Sequence, residues 1–220
     1  MSIRKVAFVP GEYYHIYNRG NSKQIIFRDE EDRTRFLDLL YISNSFKNFN
    51  IFDIRKFSSI FEIERGNPLV HIGAYVIMPN HFHILITESE NGSISKFMQK
   101  LSTAYAMYYN QKYKRVGGLF EGKFKSRHAT NDKYLKYLFS YIHLNPIKLI
   151  QPKWKEEGIR NRKEVIEYLD KYLYSSYFDY KGIERCHSSI LSKDVFPEYF
   201  PTKNSFDKEI FDWINYGEQE

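Results

Sequence analysis

His81-Phe82-His83 puts two imidazoles one residue apart. In a strand, alternate side chains share a face, so both rings point one way while Phe82 points into a core. Two imidazoles on one face suit a shared divalent cation. Later in the chain Tyr141 and Asn145 stand four residues apart. On a helix that is about one turn, which brings a phenol and a carboxamide side by side. A histidine pair, a helical tyrosine and a basic surface together point to phosphodiester chemistry on nucleic acid. Each feature has a plainer reading. A His-x-His pair can be hydrogen-bonded side chains at a sheet edge, and most helical tyrosines are packing residues. Tyr105, Tyr134 and Tyr137 compete with Tyr141 as nucleophile, but Tyr141 alone precedes a side-chain amide by four positions.

These groups need elements to hold them. Residues 13–18 read as a first strand closed by Arg19-Gly20-Asn21. Residues 29 to about 46 read as a helix with Phe36, Leu37, Leu39 and Leu40 on its apolar face and acids at its start. Val70 to Met78 is apolar on both faces, which predicts a central strand. Pro79-Asn80 is turn chemistry, and Phe82, Ile84 and Ile86 form the buried face of the next strand. Ser93 to about Tyr113 has helical spacing, with Ser93 as its expected cap. Residues 124–128 predict a strand in which Lys123, Lys125 and Arg127 share a face. Residues 131–144 predict a last helix, stopped by Pro146. The order is that of a ferredoxin-like α+β domain, an antiparallel sheet with helices on one face. An extra helix carries Tyr141. Residues 1–150 make the expected catalytic domain, and 151–220 an accessory C-terminal segment. On the last helix Leu135, Leu138, Phe139 and Ile142 form the core stripe. Tyr137, Tyr141 and Asn145 form a second stripe turned about 90° from it, and His143 falls away from that stripe.

The chain has 220 residues, a net charge of +6 and a pI near 9.1. The charge is uneven. Residues 91–150 hold eleven Lys and Arg against two acids, a net of +9, which leaves −3 for the rest. A basic segment in an otherwise acidic chain indicates a polyanion-binding face. Lys96, Lys100, Lys123, Lys125 and Arg127 are the phosphate-contact candidates. The 19 Tyr and 18 Phe can stack on bases or build cores, so their number decides little. The single cysteine, Cys186, excludes an internal disulfide and indicates a reducing compartment. Neither a signal-like leader nor a run of ~20 apolar residues is present, so a cytoplasmic, nucleoid-associated protein is expected.

Met78-Pro79-Asn80-His81-Phe82-His83, Lys123-Phe124-Lys125-Ser126 and Tyr141-Ile142-His143-Leu144-Asn145-Pro146 together resemble the single-tyrosine transposases of the HUH (His-hydrophobe-His) superfamily. Within it they look most like the REP-associated tyrosine transposases. Asn18-Arg19-Gly20-Asn21 and Tyr174-Ser175-Ser176-Tyr177 fit the same group. The likeness runs from about Tyr14 to Tyr180. It implies that His81, His83 and Asn145 bind Mg²⁺ or Mn²⁺, and that Tyr141 is the nucleophile. It also implies a substrate of single-stranded DNA folded as a hairpin and a covalent 5′-phosphotyrosine. Asn18 and Arg19 either contact bases near the site or close a turn. Related transposases either act alone or pair as homodimers in which one chain's tyrosine serves the other's metal. Two other functions fit the same residues: a non-catalytic binder of single-stranded nucleic acid on a ferredoxin-like sheet, and a metal-dependent phosphoesterase using water.

Overall fold

Residues 7–50, 54 and 56–212 are described by a computed structural model of the chain. Four strands and two helices form a βαββαβ unit: β1 (Tyr14–Arg19), α1 (Glu30–Ile42), β2 (Val70–Met78), β3 (His81–Glu88), α2 (Ser93–Lys112) and β4 (Lys125–His128). The strands pair antiparallel in the order β2-β3-β1-β4. This is the ferredoxin-like arrangement expected. A third helix, α3 (Asp132–Leu144), follows.

Local chemistry explains the boundaries. Asp29 caps α1 by accepting a hydrogen bond from the Asp32 amide. α1 stops at Ile42, short of the expected end. Asn44 leaves the helix and bonds the Val70 backbone through both ends of its amide, at 2.8 and 2.9 Å. β2 and β3 meet at the two-residue turn Pro79-Asn80, with Met78 opposite His81. The expected cap of α2 is corrected. Gly92, with φ of 85°, precedes the helix, and Ser93 is its first, buried residue. A left-handed position at that junction favours glycine over any residue with a side chain.

The strand faces divide the molecule into layers. Ile16, Phe82, Ile84 and Ile86 point to the side covered by α1 and α2, where Phe36, Leu40, Phe97, Leu101 and Tyr105 complete the core. The opposite face carries Ala74, Val76, Met78 and Leu85, and α3 lays Leu135, Leu138, Phe139 and Ile142 on them. Two helices therefore share one face, and the additional helix takes the other.

β2 lies at the edge of the four strands, which corrects the expectation of a central strand. Its apolar faces arise from layers on both sides and from the C-terminal segment along its free edge. The Ile77 amide donates to the Tyr174 carbonyl at 2.9 Å, and the Ser176 amide to the Tyr75 carbonyl at 3.0 Å. Covering an edge in this way satisfies the backbone groups it would otherwise expose. The segment beyond residue 150 contains α4 (Trp154–Glu157), α5 (Arg162–Leu169), α6 (Tyr177–Tyr180) and α7 (Lys203–Asp212). Trp154, Val165, Leu169, Tyr177 and Phe206 pack with Leu144 and Ile147 at the end of α3. The accessory segment thus buttresses the helix that carries Tyr141.

Candidate active site

Strand register fixes which side chains meet. On the α3 side of the sheet, Arg19 lies opposite His81, Tyr17 opposite His83, and His15 opposite Leu85. β4 continues the same rows, with Lys125 opposite Tyr17 and Arg127 opposite His15. Residues directly opposite in an antiparallel pair point to the same face. The period of two therefore gathers His15, Tyr17, His81, His83, Lys125 and Arg127 on one surface.

Tyr141 comes down onto that surface from α3. Its ring centroid is 5.4 Å from that of His83 and 5.7 Å from that of His15, edge-on to both. His81 and His83 are 5.0 Å apart, ring to ring. A cavity of about 290 Å³ opens here, lined by His15, His83, Tyr137, Tyr141 and Lys155 among others. Tyr134, Tyr137 and Tyr141 run as a ladder with centroid spacings of 5.9 and 6.0 Å.

Asn145 caps the C-terminal end of α3 in a right-handed helical conformation, φ −55° and ψ −37°. A following proline ordinarily disfavours that conformation. Pro146 instead opens a 3₁₀ turn, residues 145–149, so the helical path continues and Asn145 stays in line with Tyr141. The amide is fully buried. It lies close enough to influence both the His81 imidazole and the Tyr141 phenol, yet its Oδ1 makes no well-directed hydrogen bond.

The imidazole protons follow from the neighbours. Asn80 donates through Nδ2 to the Lys23 carbonyl at 3.1 Å, which leaves its Oδ1 facing His81 Nδ1 at 2.6 Å. His81 must then carry its proton on Nδ1, and its Nε2 lone pair is free. Burial pushes His81 down to about 4, with the Lys148 charge adding to the effect. Burial likewise lowers His15 to about 3 and holds His83 well below the usual imidazole range. All three are neutral at neutral pH. A divalent cation fits this donor set: the His81 imidazole with its free Nε2 lone pair, the His83 imidazole beside it, and a buried carboxamide oxygen lacking a partner. Among the described residues no group of three or more His, Cys, Asp or Glu side chains could hold a metal ion.

Burial raises the Tyr141 phenol, and Asn145 opposes that shift. Two lysines from beyond α3 stand over it. Lys155 Nζ is 4.0 Å from the ring centroid and Lys148 Nζ 5.8 Å. Burial, then repulsion from Lys148, lowers Lys155 to about 8. His15, Tyr17, Lys148 and Lys155 are site neighbours that sequence reasoning missed. The alternation His15-x-Tyr17-x-Arg19 carries a signal for the first two. Lys155 has none, because a loop brings it back from outside the motif.

The remaining candidates separate. Lys125 and Arg127 are on the site face, with Arg127 over the Tyr134 ring at 4.7 Å. Lys123 is exposed just before β4. Arg19 reaches the site face but forms an ion pair with Glu121. Asn18 points to the other face, where it donates to the Gly122 carbonyl at 3.1 Å and accepts from the Arg19 amide at 2.9 Å. Asn18 thus ties β1 to the segment that precedes β4. Lys96 and Lys100 lie away from the histidine and tyrosine face. Both sit on α2, in the opposite layer. Lys100 donates to the Ser45 and Lys47 carbonyls at 2.7 Å, and Lys96 lies over the Phe46 ring. Helical spacing shows that they are exposed, but not which side of the sheet they occupy. His143 donates or accepts at Ser176 Oγ, 2.7 Å away in the interior, and stays out of the site.

No curated protein sequence matches this chain significantly. Among solved structures, one described as that of "the REP associates tyrosine transposase bound to a REP hairpin" is similar, with 13% identity and a TM-score of 0.47. The alignment covers 91% of this chain and 96% of that one. Residues 9–145, more than half of the chain, match the family described as "Transposase IS200 like" and include the histidine pair, the tyrosine and Asn145. By that match the chain belongs to the IS200-like transposase family.

Proposed function

We propose that this transposase is a metal-dependent endonuclease and strand transferase acting on hairpins of single-stranded DNA, with Tyr141 as nucleophile and a 5′-phosphotyrosine intermediate. The observation that carries this reading is the Tyr141 ring lying against His83 and beside Asn145, whose buried oxygen has no partner. His81, His83 and Asn145 would hold Mg²⁺ or Mn²⁺, which when bound draws negative charge from the scissile phosphate. Tyr141 Oη forms a bond to phosphorus and the bond to the 3′ oxygen breaks. The phenol loses a proton and the departing 3′ oxygen gains one. Phosphotyrosine preserves the energy of the broken linkage, so a second 3′-hydroxyl can reseal the strand without ATP. The Lys155 ammonium, beside the ring, offsets charge on the phenolate and on the phosphate. Lys123, Lys125 and Arg127 would hold the backbone along β4, and the Tyr134–Tyr137 ladder offers ring faces to unpaired bases. Tyr141 meets the histidines of its own chain, which fits action without exchange of tyrosines between subunits. Among the described residues no helix is long and apolar enough to cross a membrane. A cytoplasmic, nucleoid-associated location fits a DNA-processing role.

Incubation with a labelled hairpin oligonucleotide and Mn²⁺ tests this proposal. A denaturant-resistant protein–DNA adduct is expected. Tyr141→Phe should abolish it while leaving hairpin affinity nearly unchanged, since only the nucleophilic oxygen is lost. His81→Ala should remove the dependence on Mn²⁺. Normal adduct yield from Tyr141→Phe would overturn the assignment. Cleavage without an adduct would mean a water nucleophile, and retention without cleavage a binding protein.

A further inference from the structure

His15 Nε2 and His83 Nδ1 are 2.8 Å apart, in a contact where both residues are only 6% exposed. Their rings stack at a centroid distance of 4.9 Å. Cross-strand pairing holds the contact in place: His15 faces Leu85 and its neighbour Tyr17 faces His83, so neither ring can slide without shifting β1 against β3. Two ring nitrogens at that distance are joined by one N–H, so one ring donates and the other accepts. The proton can sit in two ways. If His15 Nε2 donates, His83 Nδ1 accepts, and His83 must carry its own proton on Nε2. If His83 Nδ1 donates, His15 Nε2 accepts, and His83 Nε2 keeps a free lone pair.

We propose that His15 is a positioning residue that accepts the His83 Nδ1 proton and so fixes His83 in the tautomer whose Nε2 can ligate a metal. The inference rests on the metal reading of the site given above. The neighbouring histidine supports it by analogy within the same molecule. Asn80, oriented by the Lys23 carbonyl, accepts from His81 Nδ1 in the same sense. Each proposed ligand then presents Nε2 and is held from behind through Nδ1, one by a carboxamide and one by an imidazole. An outer acceptor of this kind sets both the tautomer and the ring orientation of a ligating histidine.

Two measurements on the full chain test the idea. The first needs no metal. In ¹⁵N-histidine-labelled protein kept in chelator, His83 should show a protonated Nδ1 and an unprotonated Nε2, and the reverse pattern would overturn the proposal. The second is Mn²⁺ calorimetry on wild type, His81→Ala, His15→Phe and His15→Gln. The phenylalanine variant removes the acceptor and should weaken Mn²⁺ binding about 10–100-fold. Glutamine supplies a carbonyl acceptor and should restore most of the affinity. Unchanged affinity in His15→Phe, or equal loss in both variants, would overturn the role of His15. If wild type takes up no Mn²⁺, or His81→Ala binds it unchanged, the metal reading itself fails, and the ring shifts still report on the His15 contact. Should His15→Phe fail to fold, the glutamine variant and the ring shifts decide the question.

Discussion

A phenol is a weak nucleophile at neutral pH, and burial makes the Tyr141 phenolate harder to form. The site must offset that penalty, and the Lys155 ammonium 4.0 Å from the ring centroid is placed to do so; in the proposed mechanism a cation held by His81, His83 and Asn145 would add to it. Lys155→Met should therefore slow adduct formation by about 100-fold, with hairpin affinity changing far less. Single-turnover kinetics separates the two effects, and an unchanged rate would remove Lys155 from the chemistry. The residues involved were unequally legible. His81 and His83 stand out because a period of two puts both on one face within three positions. Tyr141 and Asn145 stand out because a helical turn joins them. His15 lies sixty-eight positions from the ring it touches, and only strand pairing reveals the contact. Lys155 depends on where a loop folds back, which local patterns do not encode.

The elements decide which charges can serve the site. β4 pairs with β1 so that Lys125 and Arg127 fall in the rows of Tyr17 and His15. α2 lies across the sheet from them, and Lys100 is tied to the Ser45 and Lys47 carbonyls. Lys125→Ala should thus lower the salt dependence of single-strand binding by about 0.7 in log–log slope. Lys100→Ala should leave it unaltered. Equal slopes for Lys125→Ala and wild type, or a larger change from Lys100→Ala, would place the DNA elsewhere. Both lysines look alike in sequence, since amphipathic spacing reports exposure and not the layer. β2 shows the converse problem. Its apolar run indicates burial on both faces, but the edge is covered by residues 174–176, nearly a hundred positions later. The strand–helix order was readable because turn and periodicity signals are local. The partner of each face was not, because it is set by packing at long range.

Across the chain, every proposed catalytic part comes from one polypeptide: the histidines from β3, the tyrosine from α3, the asparagine from its C-terminal cap, and a lysine from the C-terminal segment. Mixing Tyr141→Phe with His81→Ala should consequently give no adduct, because neither chain holds a complete site. Recovery of adduct in the mixture would mean that tyrosines are exchanged between subunits. The C-terminal segment also covers the edge of β2 and packs under the end of α3. Packing and the Lys155 contact run straight across the expected division at residue 150.

The most direct measurement is the location of the covalent bond. After reaction with a hairpin oligonucleotide, nuclease trimming and trypsin digestion leave Tyr137 and Tyr141 in one peptide, residues 137–148. Tandem mass spectrometry should place the nucleotide remnant on Tyr141. A remnant on Tyr137, or on any tyrosine outside this peptide, would contradict the account.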